Sequence, residues 1–177
     1  MAARGDDLVV EPLERRHARS AFACGVEPLD HYLRTQAGQD VRRKANAVFV
    51  LRSADAPASG PTPILGFYTL CALALPQGDV PVAARRHVPR YPLVSATLIG
   101  RLAVARDRQG TGLGAVLLAD ALGRALRSAD TVGSSMVVVD AIDARAVAFC
   151  ESHGFVRLPD CMRLILPMRL IGDMLGR

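Results

Sequence analysis

Arg101-Leu-Ala-Val-Ala-Arg-Asp-Arg-Gln-Gly-Thr-Gly-Leu-Gly114 decides how this chain is read. An apolar run breaks into a basic, glycine-rich turn, and a helix follows from about Gly112 through Leu126. Glycine has no Cβ, so its backbone N–H can come close to an anion, and the first turn of a helix offers unpaired N–H groups at the positive end of its dipole. Arg106 and Arg108 add mobile positive charge beside that concavity. The turn reads as the seat of a phosphate-bearing ligand. Taken alone, it also fits a plain strand-to-helix turn with solvated arginines.

The segments on either side supply context. Ala96 to Ala105 reads as the strand entering the turn, and Leu113, Val116, Leu117, Ala121, Leu122, Ala125 and Leu126 give the following helix a broad apolar face that should pack on a sheet. Ser134 to Ala141 is a buried strand, Asp143 to Ser152 a shorter helix capped by Asp143 and stopped by Gly154, and Cys161 to Leu170 a closing strand. Upstream, Leu8 to Leu13 reads as a strand and Glu14 to Ser20 as a short helix. A second helix is opened by Pro28 and runs to roughly Val41, with Leu29, Leu33 and Ala37 at helical spacing. Asn46 to Arg52 and Ile64 to Leu75 are strands on either side of an exposed hairpin loop, Ser53 to Pro63. Pro76 to Pro92 shows neither period and carries Arg85-Arg-His-Val-Pro-Arg90, either a solvent-facing excursion or the basic rim of a cleft.

Half of the 177 residues are apolar, enough for one compact domain spanning residues 1–177. The 22 basic residues exceed the 17 acidic ones, and Lys44 is the single lysine. The excess suits an acidic ligand or nucleic acid, and the arginine bias is equally compatible with genomic base composition. The densest basic cluster, Arg42-Arg43-Lys44, reads as a solvated helix end or as a polyanion contact. Cys24, Cys71, Cys150 and Cys161 lie far apart, indicating neither a metal site nor a disulfide scaffold. The N-terminal residues lack a signal-peptide core and the longest apolar run is too short to span a bilayer, so a soluble cytoplasmic protein with no membrane contact is expected.

In this order of elements, Gln109-Gly-Thr-Gly-Leu-Gly114 resembles the Gln/Arg-x-x-Gly-x-Gly/Ala signature of the GNAT acetyl-CoA-dependent N-acetyltransferases. Further motifs are similar to the toxin branch of that family, whose members acetylate the amino group of aminoacyl-tRNA: Phe22-x-Cys-Gly25, Leu29-Asp30, Tyr32-Leu33, Gln39-Asp40, Gly66-Phe-Tyr-Thr-Leu70, Pro89-Arg-Tyr-Pro92 and Gly100-Arg-Leu-Ala-Val104. The resemblance covers about Phe22 to Leu170. It implies an α/β (α+β) fold: a central mixed, mostly antiparallel sheet, splayed at the acetyl-CoA site, with flanking helices.

The resemblance also implies roles. The pyrophosphate of acetyl-CoA would sit on Arg108, Gln109, Gly110, Thr111, Gly112, Leu113, Gly114 and Ala115, chiefly on their backbone amides. The pantetheine arm would pair like an added strand with the backbone of Leu102, Ala103 and Val104, and the Val104 amide would meet the oxyanion. Arg42, Arg43, Lys44, Arg85, Arg86 and Arg90 would hold tRNA phosphates. A homodimer and a ribbon-helix-helix antitoxin are the partners it implies. The toxin branch protonates the departing CoA thiolate with a tyrosine where this chain has Cys150, in Phe149-Cys-Glu-Ser-His-Gly-Phe155. A thiol, ordinarily near 8.5, is formally able to give that proton, and Cys150 also reads as a small buried apolar residue. Tyr68 and Tyr91 are phenols from elsewhere in the chain. The leading expectation is an aminoacyl-tRNA-acetylating toxin; the others are a GNAT enzyme acting on a small or protein amine, and a weakly active CoA-binding module.

Overall fold

The computed structural model describes residues 7–177, which fall into two compact units. The first holds the chain up to Leu70 together with Arg101–Asp120; the second holds Cys71–Gly100 and Ala121–Arg177. Seven strands are present: β1 (Leu8–Pro12), β2 (Ala47–Ser53), β3 (Gly66–Pro76), β4 (Leu93–Val104), β5 (Met136–Asp140), β6 (Val156–Arg157) and β7 (Arg163–Pro167). Their order is β1-β2-β3-β4-β5-β7-β6. The pairs β1/β2, β2/β3, β5/β7 and β6/β7 are antiparallel, and β4/β5 is parallel. The helices are α1 (Glu27–Thr35), α2 (Ala37–Arg43), α3 (Val82–Arg85), α4 (Leu113–Ala129), α5 (Ala144–Ser152) and α6 (Met168–Met174). The mixed, mostly antiparallel sheet with helices that the sequence implied is the fold class observed. A parallel pair needs a crossover, and α4 supplies it between β4 and β5.

In the first unit, Phe67 on β3 is the centre of the core. Phe22 meets it edge-on at 5.5 Å between ring centroids and Tyr32 stacks on it at 6.5 Å. Leu33, Val48, Val50 and Ala103 complete the cluster. Gly66 lets α4 come close: a Cβ there would lie 2.8 Å from Leu117 Cδ1 and 2.9 Å from the Ala103 carbonyl. In the second unit, Leu75, Val94, Ala96, Met136, Val138 and Ile165 form the core with Val80, Ala84 and Val88.

Four local expectations change. The helix read as continuous from Pro28 to Val41 is two helices broken at Gln36. Thr35 donates its hydroxyl to the His31 carbonyl at 2.8 Å, the back-bonding that bends a helix, and Ala37, wholly buried, starts the next one. Glu14 to Ser20 is not a helix: the His17 ring captures the Glu14 N–H, and a short 3₁₀ turn forms at Arg19–Ala21. The segment Pro76 to Pro92 contains a 3₁₀ turn and the four-residue α3, because Val80, Ala84 and Val88 recur every four residues and are buried together. The last strand stops at Pro167, whose fixed φ turns the chain into α6, rather than running to Leu170.

One ionic hub holds the β1 edge. Arg52 donates to both Glu11 carboxylate oxygens, through Nε at 2.7 Å and Nη2 at 3.1 Å, and the Arg16 guanidinium also bonds Glu11. His17 Nδ1 accepts the Glu14 N–H at 2.8 Å, so the ring's proton sits on Nε2, which donates to Glu11 at 2.9 Å. The Arg52 hydrogen bonds foremost hold the Glu11 carboxyl down from 4.5 to about 2, against the opposing effect of burial. A depressed folded-state value stabilises the fold above the unfolded value and is lost as pH falls between the two. Glu11→Gln should therefore lower the thermal midpoint at pH 7, and its deficit against wild type should shrink as pH drops from 4.5 toward 2. Thermal unfolding followed by circular dichroism checks this; a deficit that stays constant through that window refutes the hub.

Candidate functional site

The glycine turn after Arg101 is built from both ends. The Ala105 N–H donates to the Leu65 carbonyl at 2.8 Å, closing β4, and a 3₁₀ turn follows at Arg106–Arg108. Gly110 and Gly112 take φ of 77° and 87°, a region that L side chains avoid, and no atom lies within 4 Å of a Cβ built at either. These glycines are required by backbone shape, and the space above them is open. Val116 makes the first helical hydrogen bond of this end, to the Gly112 carbonyl at 3.3 Å, while Leu113 is buried and anchors the helix start. The amides of Leu113, Gly114 and Ala115 therefore precede the helical ladder and face the turn at the positive end of a 17-residue helix. This open, amide-lined, cationic cradle fits a pyrophosphate.

A side chain that the sequence reading counted only for its backbone holds the cradle in place. Gln109 Nε2 donates to the Cys24 carbonyl at 2.7 Å and to the Val104 carbonyl at 3.0 Å. The Arg106 N–H reaches the Ala23 carbonyl at 2.9 Å, and the Cys24 N–H reaches Asp30 Oδ1 at 2.8 Å. Cys24 is thus held through both of its backbone groups. Burial raises its thiol to about 11, so it is a protonated wall residue at neutral pH. Gly25, at φ 92°, accommodates Arg106: a Cβ there would lie 2.8 Å from Arg106 Nη2. Arg106 is accordingly seated over Gly25, where a mobile charge was expected. The Phe22-x-Cys-Gly25 and Leu29-Asp30 motifs carried this signal, since their spacing brings one amide, one carbonyl and one carboxylate to the turn.

β4 reaches the cradle along the Gly100-Arg-Leu-Ala-Val104 motif. Its ladder with β5 covers Ala96 to Ile99. Beyond it come Leu102 and Val104, half-buried, and Ala103, buried. Arg101 lies with its guanidinium carbon 3.6 Å from the Tyr32 ring centroid, a cation–π contact that sequence reasoning did not find. Tyr32 in turn donates to Asp40 Oδ2 at 2.9 Å, the same oxygen that Asn46 Nδ2 reaches. Of the basic clusters, Arg42, Arg43 and Lys44 are exposed at the end of α2 in the first unit. Arg85, Arg86 and Arg90 belong to the second unit. Arg85 turns its Nε onto the Val80 carbonyl at 2.9 Å, while Arg86 and Arg90 are exposed.

Residues 49–155 match the model of the acetyltransferase (GNAT) family. The chain belongs to the GNAT family. A tRNA-acetylating toxin of Mycobacterium tuberculosis is 35% identical over 159 residues, covering 87% of this chain and 90% of that protein. Two solved structures align over almost the whole chain. AtaT complexed with acetyl-methionyl-tRNAfMet has a TM-score of 0.84 at 28% identity, covering 97% of this chain and 100% of that one. A tyrosine-to-phenylalanine mutant of the AtaT toxin, bound to the C-terminus of the antitoxin AtaR and acetyl-CoA, has a TM-score of 0.80 at 26% identity, with the same coverage.

As an acetyltransferase of this family, the chain must deal with a departing thiolate, which makes the state of its proton donors informative. Cys150 on α5 is 4% exposed, and burial, with the Glu151 charge adding to it, pushes its thiol up to about 11. Tyr68 is wholly buried, stacks on Phe49 at 5.2 Å and donates its phenol to Asp120 Oδ2 at 2.6 Å. Its O–H is thereby directed at a neighbouring carboxylate within the first unit. Ser152 donates to the Phe149 carbonyl at 2.6 Å and His153 Nδ1 lies 2.8 Å from the same oxygen, so both close the end of α5. Among the described residues no helix is long and apolar enough to cross a membrane.

Two outcomes follow from this geometry. Gly112→Val forces a β-branched residue to φ 87° and should weaken acetyl-CoA binding about tenfold or more in isothermal titration, with little change in fold by circular dichroism. Tyr68→Phe removes a hydrogen bond to a carboxylate and should cost about 1.5–3 kcal/mol in denaturant unfolding while kcat changes less than about threefold. A kcat loss of a hundredfold in Tyr68→Phe would make the phenol a participant in transfer.

Proposed function

We propose that this chain is the toxin of a toxin–antitoxin pair: it transfers acetyl from acetyl-CoA to the α-amine of aminoacyl-tRNA and so blocks translation. The observation that carries the reading is 35% identity to a tRNA-acetylating toxin across 87% of the chain. The open amide cradle over Gly110 and Gly112 supports the donor, and the AtaT complex with acetyl-methionyl-tRNAfMet supports the acceptor. The whole of residues 1–177 works as one GNAT domain in this reading, as a homodimer in the cytoplasm. The antitoxin is a ribbon-helix-helix protein; the AtaT complex with the C-terminus of AtaR supports an antitoxin partner.

Acetyl-CoA supplies the thioester carbon that the amine attacks, and CoA departs as a thiolate. The amides from Gln109 to Ala115, with Arg108 beside them, bind the pyrophosphate. The backbone of Leu102 and Ala103 aligns the pantetheine arm. The Val104 N–H meets the carbonyl oxygen where negative charge develops, where a fixed donor does most. The amine of an aminoacyl ester is less basic than an ordinary amine, so a strong general base is not required. Arg42, Arg43, Lys44, Arg85, Arg86 and Arg90 attract tRNA phosphates, Arg85 with the least freedom. Cys150 holds the proton-donor position. Its thiol, at about 11, gives a proton uphill to a CoA thiolate of ordinary basicity, near 8.5, so thiolate protonation limits turnover.

The raised Cys150 thiol favours one second reading: a GNAT chain that works slowly on a small or protein amine, or binds CoA without transferring. Purified protein incubated with labelled acetyl-CoA and charged tRNA distinguishes the two. The proposal expects labelled N-acetyl-aminoacyl-tRNA after phenol extraction; label on other amines only, or on none, overturns it. Cys150→Tyr should raise kcat at least about tenfold, out of the 10²–10⁴ that a positioned donor contributes. A donor must be protonated to act, so the wild-type rate should fall only as pH climbs toward 11 and stay level between pH 7 and about 9.5. A wild-type rate that drops through pH 8.5 excludes the buried thiol as donor.

A further inference from the structure

An arginine-lined recess stands in the first unit, away from the glycine cradle in sequence and outside both basic runs that the sequence singled out. It encloses about 560 Å³ between the Arg15–Ala21 segment and Gly60–Pro61, with Arg34 of α1 at its edge. Its walls are fixed by backbone bonds: the Ala18 N–H donates to the Thr62 carbonyl and the Thr62 N–H to the Arg16 carbonyl, both at 2.8 Å. The Glu11 hub neutralises one side of it, holding Arg16 and the uncharged His17. Among the described residues Arg34 pairs only with Glu27, in an exposed contact at 3.2 Å. Arg15 and Arg19 have no carboxylate partner among the described residues.

Arg19 joins this recess to α2. Its Nη1 lies 2.8 Å from where a Cβ of Gly38 would stand, and Arg42 Nη1 lies 3.6 Å from the same point. Two guanidinium groups thus converge over one bare helical position, and Arg42, like Arg19, has no carboxylate partner among the described residues. Like charges brought together without a counter-charge are favoured when an anion lies between them. The recess lining is arginine, small residues, Pro61 and backbone, with His17 its one aromatic ring and no large apolar side chain. That surface suits phosphates, which guanidinium forks grip two oxygens at a time, and offers no pocket for the apolar anchors of a peptide.

We propose that Arg15, Arg19 and Arg34 of the recess, with Arg42 joined to them through Arg19 over Gly38, form a docking site for the phosphate backbone of RNA. The proposal rests on the reading that charged tRNA is the acceptor, and it adds where the RNA is gripped: Gly38 is the positioning residue that lets Arg19 lie flat beside Arg42. Recognition here is by charge, so it is salt-dependent and indifferent to base sequence.

Fluorescence anisotropy with deacylated tRNA from 50 to 300 mM KCl, roughly the range over which phosphate contacts respond to salt, tests it without requiring acetyl transfer. Arg19→Gln and Arg42→Gln should each weaken binding about three- to tenfold and lower the slope of log K against log salt by about one, the pair by about two. Arg169→Gln, an exposed control of equal charge, should change neither. Gly38→Ala keeps every charge and improves helix propensity, so the fold should hold or gain thermal midpoint while tRNA affinity falls as in Arg19→Gln. Acetyl-CoA affinity should be unchanged in all of them. A double variant with wild-type affinity and slope overturns the site even where charged tRNA is acetylated normally. Displacement of tRNA by poly-glutamate but not by inorganic polyphosphate also overturns it, in favour of an acidic protein segment. Absence of acetyl transfer in the wild-type enzyme, with the tRNA affinity losses still seen in the variants, sinks the toxin reading and leaves the docking site standing.

Discussion

The Gln109 side chain is the constraint on which the first unit's site depends. One amide nitrogen reaches two carbonyls, of Val104 at the end of β4 and of Cys24 in the loop before α1. A strand end and a loop would otherwise leave acceptors unpaired next to a turn that must stay open, and partly buried carbonyls without partners are costly. Since Gln109 satisfies both, the amides of the glycine turn are not needed for these two carbonyls. The same bonds tie the cradle to the residues preceding α1, where Arg106 lies over Gly25 and the Cys24 N–H is taken by Asp30. Anion binding, loop position and strand end are thus one local problem with one solution.

The elements with strong periods were legible in the sequence. The apolar face of α4, the apolar run entering the turn from β4 and the Asp143 cap, whose carboxylate accepts the Ala146 N–H at 2.8 Å, are all local signals, and the structure contains them. What the sequence hid was set by tertiary contact or by short range. The break between α1 and α2 depends on a Thr35 back-bond and the burial of Ala37, neither visible as a propensity. The four-residue repeat of Val80, Ala84 and Val88 was masked by the prolines around it. In the site, glycine spacing revealed the cradle, whereas the Gln109 bridge joins residues 85 apart in sequence and the Arg101–Tyr32 stack joins two motifs read separately.

Charge shows the same divide between neighbours in sequence and neighbours in space. Arg42-Arg43-Lys44 looks like a unit in the sequence, yet the three residues behave differently in the structure. Lys44 adopts a left-handed conformation to close α2, while Arg42 approaches Arg19, from another segment, over Gly38. Glu11 meanwhile removes Arg16 and Arg52 from the pool of unpaired cations. In an arginine-rich chain the informative quantity is therefore which guanidinium groups remain unbalanced once the fold has paired the rest. Net charge cannot separate the two populations.

Substituting a thiol for a phenol in a buried helix changes more than length. A phenol near 10 matches a thiolate acceptor more closely than a thiol at about 11, and it projects further from the helix axis. Burial drives the two needs apart here: the environment that packs Cys150 into α5 is the one that makes its proton harder to give. The neighbouring hydroxyl and imidazole, of Ser152 and His153, are turned to the Phe149 carbonyl at the helix end and hold α5 in shape. Tyr68 is held by Asp120 in the first unit. The turn that fits a CoA pyrophosphate is therefore held by its own hydrogen bonds, while Cys150, Tyr68, Ser152 and His153 are each tied to packing and Tyr91 alone of these candidate groups stands exposed. The shape of the turn around Gln109 and the burial of the Cys150 sulfur are accordingly separable properties of this sequence, the first set by side-chain and backbone hydrogen bonds and the second by packing on α5.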